Sequence, residues 1–115
     1  PLRAVELVRA AGGVAVLAHP FATTRGAVIL ADEVISHLAD AGLGGIEADH
    51  PDHDEAARAR ARALATRLGL FVTGSSDYHG SGKTTRLGDN LTDPVVLTAL
   101  ERAGSGSAII RPASH

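Results

Sequence analysis

The stretch SSDYHGSGKTT, residues 75–85, carries side chains that could bind a metal ion. Asp77 and His79 are separated by one residue, so in extended backbone their side chains point to the same side. A carboxylate and an imidazole on one side can converge on a cation, and such donors suit Zn²⁺, Mn²⁺ or Fe²⁺ better than Mg²⁺. Taken alone, an Asp-x-His pair is a weak signal, because ordinary polar loops also contain it.

The end of the same stretch, residues 82–84, resembles the end of a phosphate-binding P-loop. That motif requires a first glycine where this chain has Asp77, and a carboxylate there would repel a phosphate. Glycine, asparagine and proline soon after Lys83 also interrupt the helix that should follow. We therefore reject a P-loop. Lys83 is kept as a cation that could bind substrate phosphate, with a solvated loop charge as the alternative.

Further titratable residues follow other apolar runs. His19 comes directly after VAVLA and before a proline that fixes the exit of the chain. His53 is the candidate proton donor to the leaving alkoxide, and His50 is a candidate phosphate-binding residue. Glu47 is a candidate for substrate binding, and it could equally be a metal ligand, a group that orients a histidine or a carboxylate at the start of a helix. For both histidines the alternative is a polar turn before a helix.

Helical and strand patterns alternate along the chain and predict an α/β fold. VAVLA is a short, wholly apolar run that is typical of a strand buried on both faces. GGIEAD, around Ile46, and LFVTG predict a second and a third short strand. Segments with helical spacing precede, separate and follow these runs, and Asp93-Pro94 marks the start of the last helix. We expect a parallel sheet whose carboxyl edge gathers the candidate residues. Residues 104–115 are expected to add a short strand and a frayed tail.

Three segments, VAVLAHP, GGIEADHPDHD and LFVTGSSDYHG, resemble the closing motifs of the PHP (polymerase and histidinol phosphatase) superfamily in order and spacing. The resemblance runs from Gly13 to Lys83. It implies a distorted (β/α)₇ barrel that holds up to three divalent metal ions and hydrolyses phosphate esters, from histidinol phosphate to nucleotides and nucleic-acid ends. By position, it implies that His19, Asp77 and His79 are metal ligands.

The chain departs from the PHP pattern in its missing first half. The family's opening H-x-H motif and its middle ligands are absent, so residues 1–115 correspond to one partial domain, roughly the C-terminal three β/α units of the barrel. The chain also contains no Met and begins at Pro1 inside a helical pattern. These observations predict a piece of a longer polypeptide.

The predicted function is metal-dependent hydrolysis of phosphate esters by the full-length parent, with this piece inactive by itself. A nucleotide or a 5′-phosphorylated nucleic-acid end is the expected substrate. The alternative is a non-catalytic scaffold or interaction module with a residual weak metal site, because one cation needs about four to six donors. A partial barrel would also have open strand edges and apolar surface, which would favour a homodimer.

Composition excludes several other classes of protein. The 115 residues, 44% of them hydrophobic, suit one domain with a modest core. A net charge of −2 gives no sign of non-specific nucleic-acid or membrane binding. Without cysteine there is no thiolate chemistry and no disulfide. No apolar stretch approaches the roughly 20 residues of a membrane span, and no signal peptide is recognisable, so a cytoplasmic location is expected.

Overall fold

The structure is a computed structural model that describes residues 1–23 and 28–113. Helices and strands alternate, which confirms the α/β prediction. In chain order the elements are α1 (Leu2–Ala10), β1 (Val16–Leu17), α2 (Asp32–Asp40), β2 (Gly45–Asp49), α3 (Glu55–Leu68), β3 (Phe71–Gly74), a 3₁₀ turn (Gly80–Gly82) and α4 (Pro94–Ala103).

The three strands form one parallel sheet in the order β1-β2-β3. Val16 of β1 lies opposite Gly45 of β2, and Gly45 in turn lies opposite Phe71 of β3. Because all three strands run the same way, their carboxyl ends meet at one edge. The central position of β2 explains why its residues are the most deeply buried of the sheet.

The pairing of β2 with β3 is irregular near that edge. Glu47 pairs with Thr73, but the next pair joins Asp49 to Gly74, so Ala48 is an extra residue on β2. Such a bulge bends a strand and redirects the side chains beyond it. Here it lies directly before the turn that carries His50.

The core is small and almost wholly aliphatic. Helix α3 packs against β2, with contacts that are among the most extensive of the fold, and α2 packs against α3. Only one aromatic residue contributes, which agrees with the low aromatic content of the sequence. The buried core residues are Val5, Phe21, Ile35, Leu38, Leu43, Ile46, Ala48, Ala61, Leu64 and Ala65.

Local sequence explains where the two best-defined helices begin and end. The Asp54 carboxylate caps α3 by accepting a hydrogen bond from the backbone N–H of Ala57 at 2.8 Å. Gly69 ends the helix in the left-handed conformation, with φ of 67°. Asp93 caps α4 and Pro94 is its first residue, as the sequence predicts.

The chain after α4 differs from the sequence prediction. Residues 104–113 contain no strand, which corrects the expectation of a short strand in this segment. Instead, the backbone N–H groups of Ser105 and Gly106 both donate to the carbonyl of Gly12, at 2.8 and 3.1 Å. These bonds hold the segment against the turn after α1. Residues 114 and 115, the rest of the expected frayed tail, lie outside the described part.

Among the described helices, none has the length and apolarity required to cross a membrane.

Candidate metal and phosphate site

His50, Asp52 and Asp77 come together at the carboxyl edge of β2 and β3. One ligand-type atom from each residue lies within 4.8 Å of the other two. His50 Nε2 is 3.5 Å from Asp77 Oδ2, and the side chains of these residues are 1% and 23% exposed. One imidazole and two carboxylates are donor types that suit a divalent cation such as Zn²⁺ or Mn²⁺.

The hydrogen bonds of His50 define where its proton lies. Its Nδ1 accepts a hydrogen bond from the backbone N–H of Asp52 at 3.0 Å. Burial lowers the pKa of His50, against the opposing pull of the Glu47 and Asp52 carboxylates. A neutral ring with Nδ1 as acceptor carries its single proton on Nε2.

The protonated Nε2 of His50 is buried and has no hydrogen-bond partner among residues 1–23 and 28–113. A buried N–H without an acceptor is unfavourable, so this atom is suited to an oxygen that arrives with a ligand. The two carboxylates of the cluster therefore fit a cation, whereas His50 in this tautomer fits an anionic oxygen such as that of a phosphate.

His79 has the hydrogen-bonding pattern of a metal-binding histidine. Its Nδ1 lies 2.7 Å from the backbone carbonyl oxygen of Asp77, to which it can donate. Histidines that bind metals usually donate one ring N–H to a carbonyl or carboxylate and bind with the other nitrogen. His79 Nε2 has no hydrogen bond within the described residues, but it does not belong to the group of three that meets within 4.8 Å.

Asp77 is the most heavily engaged residue of the site. Its backbone is left-handed, with φ of 47°, which is unfavourable for a residue other than glycine and is often found at functional sites. Its Oδ2 forms an ion pair with the ammonium of Lys83. A cation that binds Asp77 through this oxygen must therefore compete with Lys83.

His19 lies beside His50 and is held by Glu47. The ring centroids of the two histidines are 4.7 Å apart. His19 also has left-handed backbone, with φ of 29°, and its N–H donates to Glu47 Oε2 at 2.7 Å. The Glu47 side chain thus contacts the chain after β1, while His19 remains outside the group of three.

His53 is buried, and both of its ring nitrogens are engaged. Its Nδ1 lies 2.9 Å from the carbonyl oxygen of Ala48, and its Nε2 accepts a hydrogen bond from the backbone N–H of Phe21 at 3.2 Å. These bonds connect the end of β2 with the chain after β1. In the described structure His53 thus connects these two segments, and its role as a proton donor stays a prediction.

Asp52 and Arg58 were not expected at the site. The sequence suggests that Asp52 is a capping or first-turn acid, but the cap of α3 is Asp54, and Asp52 lies in the turn with a carboxylate near His50. Pro51, which redirects the chain immediately after His50, was the available signal. The arginines of residues 58–62 are, by sequence, typical of the solvated face of a helix, yet Arg58 donates to two backbone carbonyls of the same turn.

Comparison with known proteins supports the resemblance seen in the motifs. No protein-family model matches the chain. The chain is 44% identical over 86 residues to the phosphoribosyl 1,2-cyclic phosphate 1,2-diphosphodiesterase of Eggerthella lenta, and the match covers 74% of this chain and 30% of that protein.

A solved structure gives the same indication. The fold matches a Bifidobacterium adolescentis protein, provisionally assigned as a metal-dependent phosphoesterase, with a TM-score of 0.87 and 36% identity. That match covers 90% of this chain and 36% of the other, so the chain spans about a third of each relative. Motifs, fold and both similarities confirm that the chain resembles, over most of its length, part of a metal-dependent phosphoesterase of the PHP superfamily.

Proposed function

We propose that this chain takes part in metal-dependent hydrolysis of phosphate esters and supplies one side of the metal and phosphate site. The observation that carries the proposal is the meeting of His50, Asp52 and Asp77 at the carboxyl edge of the sheet. This edge is where parallel α/β folds assemble their active sites. The two relatives, named as a diphosphodiesterase and a phosphoesterase, support the same class of reaction.

Asp77 and His79 are the proposed metal ligands of this chain, together with His19 and, from the structure, Asp52. Their carboxylate and imidazole donors favour Zn²⁺, Mn²⁺ or Fe²⁺. A divalent cation bound there would supply a water of lowered pKa and would neutralise charge on the phosphoryl group.

Two other residues of the site are proposed to bind the phosphate. His50 offers its buried Nε2–H to a phosphate oxygen, which would satisfy the one buried side-chain atom that lacks a partner in the described part of the chain. Lys83, next to Asp77, is the ammonium best placed to pair with a phosphate. Glu47 and His53 are proposed to position the chain after β1, because each accepts a hydrogen bond from a backbone N–H of that segment.

The proposed substrate is a small phosphorylated sugar or nucleotide. The Eggerthella lenta relative is named for a cyclic phosphate diester of a phosphoribosyl group, and we extend that substrate class to this chain. A 5′-phosphorylated nucleic-acid end remains a prediction from the sequence. The near-balanced charge of the chain adds no support for it.

Calorimetric titration with Mn²⁺ and Zn²⁺ tests the proposal. Saturable binding is expected for the unmodified chain and should be lost in the Asp77→Ala/His79→Ala double variant. His37 and Asp40 on α2 provide a matched control, because His37→Ala/Asp40→Ala removes the same two residue types from exposed positions. Equal binding in all three proteins would contradict the metal assignment. Absence of binding in all three would favour the scaffold alternative for this chain.

Hydrolysis is then measured by ³¹P NMR with diamagnetic Zn²⁺ present. A ribose 1,2-cyclic phosphate, a nucleoside monophosphate and a 5′-phosphorylated oligonucleotide distinguish the substrate classes. Sedimentation in the same buffers tests the predicted homodimer.

A further inference from the structure

Arg58 joins both ends of the turn that carries His50 and Asp52. Its Nη2 donates to the carbonyl of His50 at 3.0 Å, and its Nε donates to the carbonyl of His53 at 3.2 Å. Its Nη1 is 3.6 Å from a carboxylate oxygen of Asp49. One guanidinium group therefore contacts the residue before the turn, its first residue and its last.

The position of Arg58 on α3 explains this reach. Asp54 caps the helix, and the backbone N–H of Arg58 donates to the Asp54 carbonyl at 3.0 Å, one turn into α3. Side chains on a helix lean towards its N-terminus, so a long side chain at this position extends back over the preceding turn. The planar guanidinium presents several donors in a fixed arrangement, which a flexible ammonium does not.

We propose that Arg58 is a positioning residue that holds this turn in the conformation in which the backbone N–H of Asp52 donates to His50 Nδ1. The protonation of Nε2 depends on the backbone N–H of Asp52, which must point at His50 Nδ1. That N–H lies inside the segment whose two ends Arg58 holds. The relevance of this arrangement to phosphate binding rests on the proposed function, but the positioning itself does not.

Arg62 provides a matched control on the same helix. It pairs with the same carboxylate, with 2.5 Å between its Nη2 and Asp49 Oδ2. Its side chain is 52% exposed, against 35% for Arg58, and it makes no hydrogen bond to a turn carbonyl in the described structure. Arg62→Ala therefore removes one charge and one ion pair of Asp49, and leaves the carbonyl contacts of Arg58 in place.

The experiment is a long-range ¹H–¹⁵N correlation spectrum of the histidine rings above pH 7, with the His50 signals assigned from a His50→Asn variant. In the unmodified chain and in Arg62→Ala, the two ring nitrogens of His50 should show well-separated shifts, with the proton on Nε2. In Arg58→Ala the two shifts should move towards each other, as the tautomers mix. Arg58→Lys should fall between these limits.

An Arg58→Ala variant that is folded and keeps the unmodified His50 pattern would overturn the proposal. If Arg58→Ala does not fold, Arg58→Lys decides: shifted His50 nitrogens support positioning by the guanidinium, and unchanged ones overturn it. The measurement needs neither metal nor substrate. Its failure would therefore leave the phosphoesterase proposal standing, and failure of metal binding would leave the role of Arg58 standing.

Discussion

The Glu47 carboxylate accepts a hydrogen bond from the backbone N–H of His19, with 2.7 Å between Oε2 and the nitrogen. This bond joins the middle of β2 to the second residue after β1, near the carboxyl edge of the sheet. The left-handed backbone of His19 costs of order 1–3 kcal/mol and persists only where neighbouring contacts enforce it. Glu47 is one such contact, and it fixes the backbone position from which the His19 side chain extends.

We expect Glu47→Ala to destabilise the fold by about 1–3 kcal/mol, because the His19 N–H loses a charged acceptor in a partly buried hydrogen bond. Glu47→Gln keeps an acceptor oxygen of similar reach and should cost clearly less. Urea denaturation of the three proteins measures the difference. Equal stability of the Ala variant and the unmodified chain would show that this bond does not hold His19.

The buried His50 should make stability depend on pH. Burial lowers its pKa in the folded chain below the ordinary value of 6.5, so below that value the unfolded chain binds more protons than the folded one. The contribution of neutral His50 to stability is therefore fully present above pH 6.5 and is lost as the pH falls towards the lowered pKa of the folded state.

Comparison with His50→Asn isolates this effect, because the Asn side-chain oxygen can still accept from the Asp52 N–H but does not titrate. The free energy of unfolding of the unmodified chain, minus that of the variant, should rise with pH up to about 6.5 and then level off. A difference that is flat across this range would contradict the lowered pKa.

Lys83 should have opposite effects on cation and phosphate binding. Its ion pair with Asp77 is partly exposed, and such pairs contribute about 1 kcal/mol or less. Removing it in Lys83→Met frees the carboxylate, so Mn²⁺ should bind up to about fivefold more tightly. If Lys83 also binds phosphate, inorganic phosphate should bind more weakly to the same variant.

Arg86→Met is the control for Lys83, because it also removes a cation from this loop. The Arg86 side chain forms no ion pair in the described part of the chain. Titration calorimetry with Mn²⁺ and, separately, with phosphate measures both effects. Unchanged Mn²⁺ affinity in Lys83→Met would mean that the ion pair does not compete with the cation.

Ser76 organises the loop after β3. Its hydroxyl oxygen accepts from the backbone N–H groups of Gly88 and Asn90, and it donates to the Asn90 carbonyl, each at 3.1 Å. Ser76→Ala leaves these groups without their partner and should cost about 1–3 kcal/mol. Ser81→Ala, at an exposed position in the same loop, should be neutral. Thermal or urea unfolding compares the two, and similar stabilities would contradict the role of Ser76.

Much of the fold could be predicted because its signals are local. The apolar runs give the three strands, and Asp54 and Gly69 mark the ends of α3 by chemistry that needs no distant partner. β1 comprises only Val16–Leu17 and is shorter than the apolar run that predicted it. A strand extends only where its backbone pairs with a neighbour, and only these two residues pair with β2. The strand expected after α4 is absent from residues 104–113 for a related reason: its backbone donors bond to Gly12.

The candidate site was only partly predictable. Parallel strands explain why residues following β2 and β3 meet at one edge, and the structure brings His50 and Asp77 within 3.5 Å. The roles of His53 and Arg58 could not be inferred, because they depend on carbonyls and N–H groups that only tertiary folding places around them. Asp and His adopt left-handed backbone more often than most residues other than glycine, but their types alone do not tell which positions do so, as Asp77 and His19 do here.

The extra residue on β2, Ala48, lies between two carboxylates that have different partners. In a regular strand, Glu47 and Asp49 would point to the same face. Beyond Ala48 the alternation is reset, so Glu47 reaches His19 while Asp49 pairs with Arg62 on α3. A regular strand without the extra residue would make Glu47 and Asp49 neighbours, which also point to opposite faces. The additional residue is therefore accommodated by a small side chain: Ala48 is fully buried in the core, and we expect larger side chains at this position to overpack it.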